Sequence, residues 1–165
     1  MNSRRRQAAG LVHNKSFVIF GGYESDGSKL QSTEIITEDG QVSTGPEMPI
    51  AVSSHAIAAV NATTSIITGG QTNHGSSGVH SSLTWYFNHV TQKFQSGPSL
   101  TIGRHSHASG TIIDQETKEE IVAVFGGYNG GGNNSGTIDS TELLLDEEWQ
   151  EGKNHTKRTK CFLPL

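Results

Sequence analysis

An apolar run ending in a glycine pair occurs three times in this chain, as Phe17-Val-Ile-Phe-Gly-Gly-Tyr23, Ser65-Ile-Ile-Thr-Gly-Gly-Gln71 and Val122-Ala-Val-Phe-Gly-Gly-Tyr128. No other feature limits the fold so tightly. Each run is short and rich in β-branched or aromatic residues. It stops where two glycines permit a sharp turn or a close backbone approach, and so reads as a strand buried on both faces. Successive first glycines stand 48 and 57 residues apart. A period of that size belongs to repeat architectures rather than to one compact core.

Aligning the copies on their glycines shows that other positions recur. Met48-Pro-Ile-Ala-Val-Ser-Ser-His-Ala56 precedes the second pair and Leu100-Thr-Ile-Gly-Arg-His-Ser-His-Ala108 the third; His55 and His107 are 52 apart, as are Pro46 and Pro98. In the first copy Arg4-Arg-Arg-Gln-Ala8 takes that place, with Gln7 at the histidine position and Arg4 matching Arg104. Small and apolar residues follow in each copy: Ala8-Ala-Gly-Leu-Val12, Ala56-Ile-Ala-Ala-Val60 and Ala108-Ser-Gly-Thr-Ile-Ile113. These suit a strand in a narrow place. A polar turn then leads into the glycine-pair strand, and the long third turn accounts for most of the longer period. Beyond the glycines come polar loops at 24–31, 72–80 and 129–139, then a third strand within 32–36, 82–87 and 140–145. A fourth short strand is expected around Val42, Phe94 or Trp149. Each repeat is thus four short strands.

Composition agrees with an all-β chain of elaborate turns, since 20 of 165 residues are glycine and only 17% are charged. The net charge of −4 hides a segregation. Arg4, Arg5 and Arg6 open the chain and Lys153, Lys157, Arg158 and Lys160 close it. Between them all 16 carboxylates outnumber the basic residues by 11. A body this acidic is not expected to bind nucleic acid. A single cysteine, Cys161, rules out an intrachain disulfide framework and suits a reducing, cytoplasmic setting. No apolar stretch has the length of a signal peptide or a membrane span, so no membrane role is expected. The four Asn-x-Ser/Thr sequons, at Asn14, Asn61, Asn133 and Asn154, are what a chain rich in Ser and Thr carries by chance.

The chain carries few chemical motifs. Among eight histidines, His105 and His107 alternate on one strand face, but no third ligand is defined, so neither a metal nor another cofactor is expected. His74, His80 and His89 read as exposed loop residues. The glycine-rich stretch 126–136 has neither phosphate-binding spacing nor a following helix. From Ala51 to Ile113 there is no carboxylate, which removes the middle repeat from acid–base chemistry by Asp or Glu. Glu34 and Glu142 recur as Thr-Glu in the third strand, a spacing that speaks for structure.

The glycine pairs, the Arg-x-x-His-Ala opening (complete as Arg104 to Ala108), Tyr86 in a third strand and Trp149 in a fourth together resemble the kelch repeat. The resemblance covers about 4–49, 52–100 and 104–152, leaving 153–165 as a basic non-repeat tail. It implies three four-stranded antiparallel blades of a kelch-type β-propeller. Three is too few for a ring, which takes about four to eight. A piece of a longer product, two copies completing a ring by self-association, or an open stack are the outcomes to expect. It also implies a non-catalytic module that binds a protein partner through its loops. Tyr23, His74, Arg104, His105, Tyr128 and Asn129 are then the candidate contacts, and Gly21, Gly22, Gly69, Gly70, Gly126, Gly127 and Trp149 the structural positions. A sugar-binding or sugar-isomerising propeller, or a truncated product without function, are the alternatives.

Overall fold

The computed structural model describes residues 2–72, 79–115, 117–130 and 136–152. Among these residues there is no helix, and hence none long and apolar enough to cross a membrane. Three four-stranded antiparallel sheets follow one another along the chain. The first runs β1 (Ala9–His13), β2 (Ser16–Phe20), β3 (Thr33–Ile36), β4 (Val42–Thr44). Short strands β5 (Val52–Ser53), β8 (Gln71–Thr72) and β9 (Val79–His80) make a small sheet of their own. The second large sheet runs β6 (Ala56–Asn61), β7 (Thr64–Thr68), β10 (Thr84–Asn88), β11 (Lys93–Ser96), and the third β12 (Ala108–Ile113), β13 (Glu120–Phe125), β14 (Thr141–Leu145), β15 (Glu148–Glu151). No sheet closes on itself. The arrangement is compatible with a β-propeller-like fold.

Register shows how closely the three large sheets repeat. Thr33, Thr84 and Thr141 stand opposite Phe20, Thr68 and Phe125, the residues before each glycine pair. From the same threonines the carbonyl accepts the N–H of Gly45, Gly97 or Gly152, at 3.0, 3.0 and 2.7 Å. The hydroxyls of Thr33 and Thr84 donate to Pro46 O and Pro98 O at 2.6 and 2.7 Å. Trp149 Nε1 donates to Pro98 O at 3.0 Å, tying the third sheet to the end of the second.

The core lies between sheets. Val18 and Phe20 meet Ile67 and Phe87 across the first junction, with Met48 and Val52 from the connection. Ala58 and Ile66 meet Val122, Val124 and Trp149 across the second, with Leu100 from the connection. The β7 strand therefore buries both faces because the middle sheet has a neighbour on either side, as its unbroken apolar run requires, whereas each outer sheet has one neighbour. The first strands converge, β6 packing against both β1 and β12, and the Thr111 hydroxyl donates to Ala59 O. The small residues of these strands permit that approach.

Two points depart from the sequence reading. The register of the first repeat is one residue later than the alignment expects. Gln7, Ser54 and Ser106 share the left-handed region, at φ 53°, 54° and 53°, so Ala8, not Gln7, stands where His55 and His107 stand, and Arg5, not Arg4, matches Arg104. The loops after the glycines are also not free of pairing. In the middle repeat they form the β5–β8–β9 sheet, and in the outer repeats the same path is reduced to single bridges, Arg6–Tyr23–Lys29 and His105–Tyr128–Thr137.

The glycine pairs have a steric reason. The first glycines take φ of 53°, 59° and 61°. A Cβ on Gly69 would lie 2.5 Å from Arg104 O and 2.8 Å from His107 Cε1, and one on Gly21 2.5 Å from Val52 O and 3.1 Å from His55 Cε1. The second glycines face the same histidines' Cβ atoms, at 2.9 Å for both Gly70 and Gly127. Each imidazole is thus a wedge between its own repeat's second glycine and the previous repeat's first.

Candidate functional site

Arg5 and Arg104 do the same work in the outer sheets. Arg104 donates to Gly126 O (2.8 Å), Ser140 O (3.2 Å), Ser140 Oγ (3.4 Å) and Glu142 Oε1 (2.6 Å). Arg5 donates to Gly21 O (2.9 Å), Ser32 O (3.0 Å), Ser32 Oγ (3.2 Å) and Glu34 Oε1 (2.7 Å). Both pairs are buried. Each carboxylate accepts two further backbone N–H groups, Asn2 and Ser3 at Glu34, Thr101 and Ile102 at Glu142. Burial pushes the Glu34 carboxyl up, but the Ser3 N–H, Arg5 and the Asn2 N–H outweigh it and hold it below its ordinary value. Arg104, expected at the surface to meet a partner, is fully buried; its guanidinium fastens the connection to β13 and β14. The pairing partner was visible only as a recurring Thr-Glu.

The loops after the first and third glycine pairs carry the exposed chemistry. Tyr23 exchanges backbone bonds with Arg6 at 3.1 and 3.0 Å, and the Arg6 guanidinium lies 4.6 Å over the Tyr23 ring. At the equivalent place Tyr128 exchanges bonds with His105 at 3.0 and 2.9 Å, and the two rings are 5.5 Å apart. His80, from the middle repeat, stacks on His105 at 4.9 Å and meets the edge of Tyr128 at 5.9 Å. So His80, expected as an exposed loop residue, is half-buried and completes this cluster. No local sequence signal marks it, because the contact crosses from one repeat to the next. Burial, with His80 beside it, lowers the His105 pKa. Tyr128 and Asn129 are exposed, and the Asn129 N–H donates to Gly136 O at 2.8 Å. His74 lies outside the described residues.

Concavities lie beside these loops, at the convergence of the repeats and between the first two sheets. Arg4, Arg5, Arg6, Tyr23 and Ser25 line one of about 260 Å³. Gln7, Ala8, Ser54, His55, Ser106 and His107 line a shallow one of about 190 Å³ where the three repeats meet. There the Ser54 N–H donates to Gln7 O and the Ser106 N–H to Ser54 O, both at 2.8 Å. A cleft of about 340 Å³ between the first and second sheets holds His13 stacked on His89 at 4.1 Å. His89, half-buried rather than the exposed loop residue expected, is lowered to about 4 by burial and by His13, and its Nε2 lies 2.7 Å from Ser65 Oγ.

His55 and His107 are also lowered to about 4, chiefly by burial and, for His107, next by Arg104. Both are therefore neutral at pH 7. His107 Nε2 lies 2.8 Å from Thr68 Oγ1, but among the described residues its buried Nδ1 meets no partner, and so no orienting acid of the kind a hydrolytic triad uses. Among the described residues no group of three or more His, Cys, Asp or Glu side chains is placed to hold a metal ion. Gly21, Gly22, Gly69 and Gly70 lie at the sheet junctions, Gly126 and Gly127 at the equivalent place on the third sheet's outer face, and Trp149 in the second core cluster. Compared with known proteins, the chain matches no family model and no curated protein.

Proposed function

We propose that the chain is a kelch-type repeat segment, its three large sheets the blades of a β-propeller, and that it serves as a non-catalytic module binding a protein partner through the loops after the glycine pairs. One observation carries this reading. The same loop position holds an aromatic ring paired with a basic side chain in the first and third repeats, Arg6 with Tyr23 and His105 with Tyr128, on backbone that bridges fix in place. Aromatic rings and arginine on a rigid support are the residues that anchor protein interfaces. Tyr23, Arg6, His105, Tyr128 and Asn129 are the contacts in this reading, with Arg104 withdrawn to a supporting role.

The test is cross-linking of the purified chain in extract, followed by reconstitution with each captured protein. Y23A and Y128A should weaken reconstituted binding by about tenfold or more, as interface anchors do, with an unchanged thermal melt. Binding that survives both substitutions sinks the reading. Saturable glycan binding or sugar turnover at the concavity lined by Gln7, Ser54 and Ser106 would favour the enzyme or lectin alternative instead.

A further inference from the structure

We propose that the two open faces of this chain close on a second copy of itself, head to tail, the third sheet of each copy covering the first sheet of the other. The two junctions inside the chain supply the template. At the first, the N–H of Gly22 donates to Val52 O (2.9 Å), that of Val52 to Leu30 O (3.3 Å) and that of Ser54 to Gln7 O (2.8 Å). At the second, the equivalent bonds run from Gly70 to Arg104 O (2.8 Å), Arg104 to Ser81 O (3.1 Å) and Ser106 to Ser54 O (2.8 Å). By the same register the third sheet offers the Gly127 N–H, Ile138 C=O and Ser106 C=O. The first sheet offers the Arg5 C=O, Arg5 N–H and Gln7 N–H. The two sets match donor to acceptor, bond for bond.

The apolar surfaces follow the same rule. Phe125 is 41% exposed, although its equivalents Phe20 and Thr68 are fully buried against the next sheet. On the opposite face Phe17 is 39% exposed, while its equivalents Ser65 and Val122 are 1% and 3% exposed against the preceding sheet. Each face is thus one half of a junction whose other half the chain itself possesses. A head-to-tail contact makes a ring when its rotation closes. Two copies supply six large sheets, within the range of closed propellers.

One position is left loose in such a junction. The slot at Gly126 would receive Ala8 of the second copy, where the inner junctions seat His55 and His107. Among the described residues a Cβ on Gly126 meets only Ile138 O, at 3.2 Å. The first junction holds Phe20 and His55 together, so Phe125 leaves room for an imidazole as well. This yields a test by gain as well as by loss. The inference rests on the propeller reading of the sheets, not on what the loops bind.

The experiment is light scattering and sedimentation of the full chain over a concentration series. A mass that stops at twice 17.7 kDa is expected. F125D on one face or F17D on the other should yield folded monomer by circular dichroism, two variants guarding against a loss of fold in either. A8H should tighten the dimer by about tenfold, roughly one added buried contact's worth. Y23A and Y128A should leave the mass unchanged, which separates this inference from loop-mediated binding. A monomer at every concentration, a mass that climbs without stopping at two, or a dimer indifferent to F125D, F17D and A8H would overturn it.

Discussion

The middle sheet and its neighbours solve one problem in two ways. At the position where the outer sheets place Arg5 and Arg104 the middle sheet has Val52, and where they place Glu34 and Glu142 it has Trp85. The third member changes with them. Asn2 and Thr101 donate a backbone N–H to the carboxylate, and their counterpart is Pro49, which has none to donate. Val52 and Trp85 pack instead with Phe20 and Phe87. A buried ion pair and a well-packed apolar set of similar bulk can be worth about the same, whereas half of either is costly. The difference teaches that the fold asks for a plug between the connection and the third strand, not for charge.

The largest expected effect separates the junctions from the ion pairs. His55 and His107 are held near 4 against an ordinary 6.5. Between those values the unfolded chain takes up a proton at each ring that the folded chain refuses. Stability is therefore full above pH 6.5 and falls as pH drops, by on the order of 3 kcal/mol per ring at pH 4. Below the ordinary Glu34 value of 4.5 the protonation of that carboxylate adds to the loss. Urea midpoints at pH 7.5, 5.5 and 4.5 measure the slope, and H55L/H107L should reduce it between 6.5 and 4.5, leaving the part contributed by His89, which is also held near 4. An unchanged slope would place the acid sensitivity elsewhere.

Next comes the pair itself. R104L should cost about 3–5 kcal/mol in urea unfolding, since Glu142 stays buried with its counter-charge gone. R104V/E142W copies the middle sheet and should lose less than R104V alone. If the double variant is no better, the two solutions are not exchangeable. A smaller effect compares an internal junction with the open face. In the F17D background, where the third sheet's face stays uncovered, G69A and G126A share the left-handed strain of about 1–2 kcal/mol, but only G69A also drives a methyl into Arg104 O and His107, for about 1–3 kcal/mol more. Equal melting points for the two would remove the wedge argument. The smallest is T101P, which deletes one N–H to the Glu142 carboxylate and should cost about 2 kcal/mol. The reverse change, P49T, meets no carboxylate and should stay within about 0.5 kcal/mol.

Much of this comparison was legible in the sequence and some was not, for identifiable reasons. The four-strand repeat could be read because burial on two faces leaves continuous apolar runs and the glycine pairs mark where they stop. The first repeat's register could not, because Arg4-Arg-Arg and Ala8-Ala offer equivalent residues at adjacent positions. Backbone decides it, through the left-handed turn at Gln7, and Gln carries no mark for that conformation. The loop positions of Tyr23, Tyr128 and Asn129 followed from the glycines. Arg104 was misread as surface since an arginine at the start of a repeat looks the same whether it faces water or Glu142. His80 was missed because its partners, His105 and Tyr128, belong to another repeat.

Where the repeats meet, main-chain bonds link Gln7 to Ser54 to Ser106, and the Ser54 hydroxyl adds a bond to Gln7 Oε1. The main-chain link does not depend on which side chain stands there, as one glutamine and two serines at equivalent places illustrate. For protein engineering this makes the mouth a writable surface. Three residues tolerant of the left-handed turn, such as asparagine or aspartate, can be installed without touching either core cluster, and their identity sets the polarity of the mouth while the spacing of the sheets stays put.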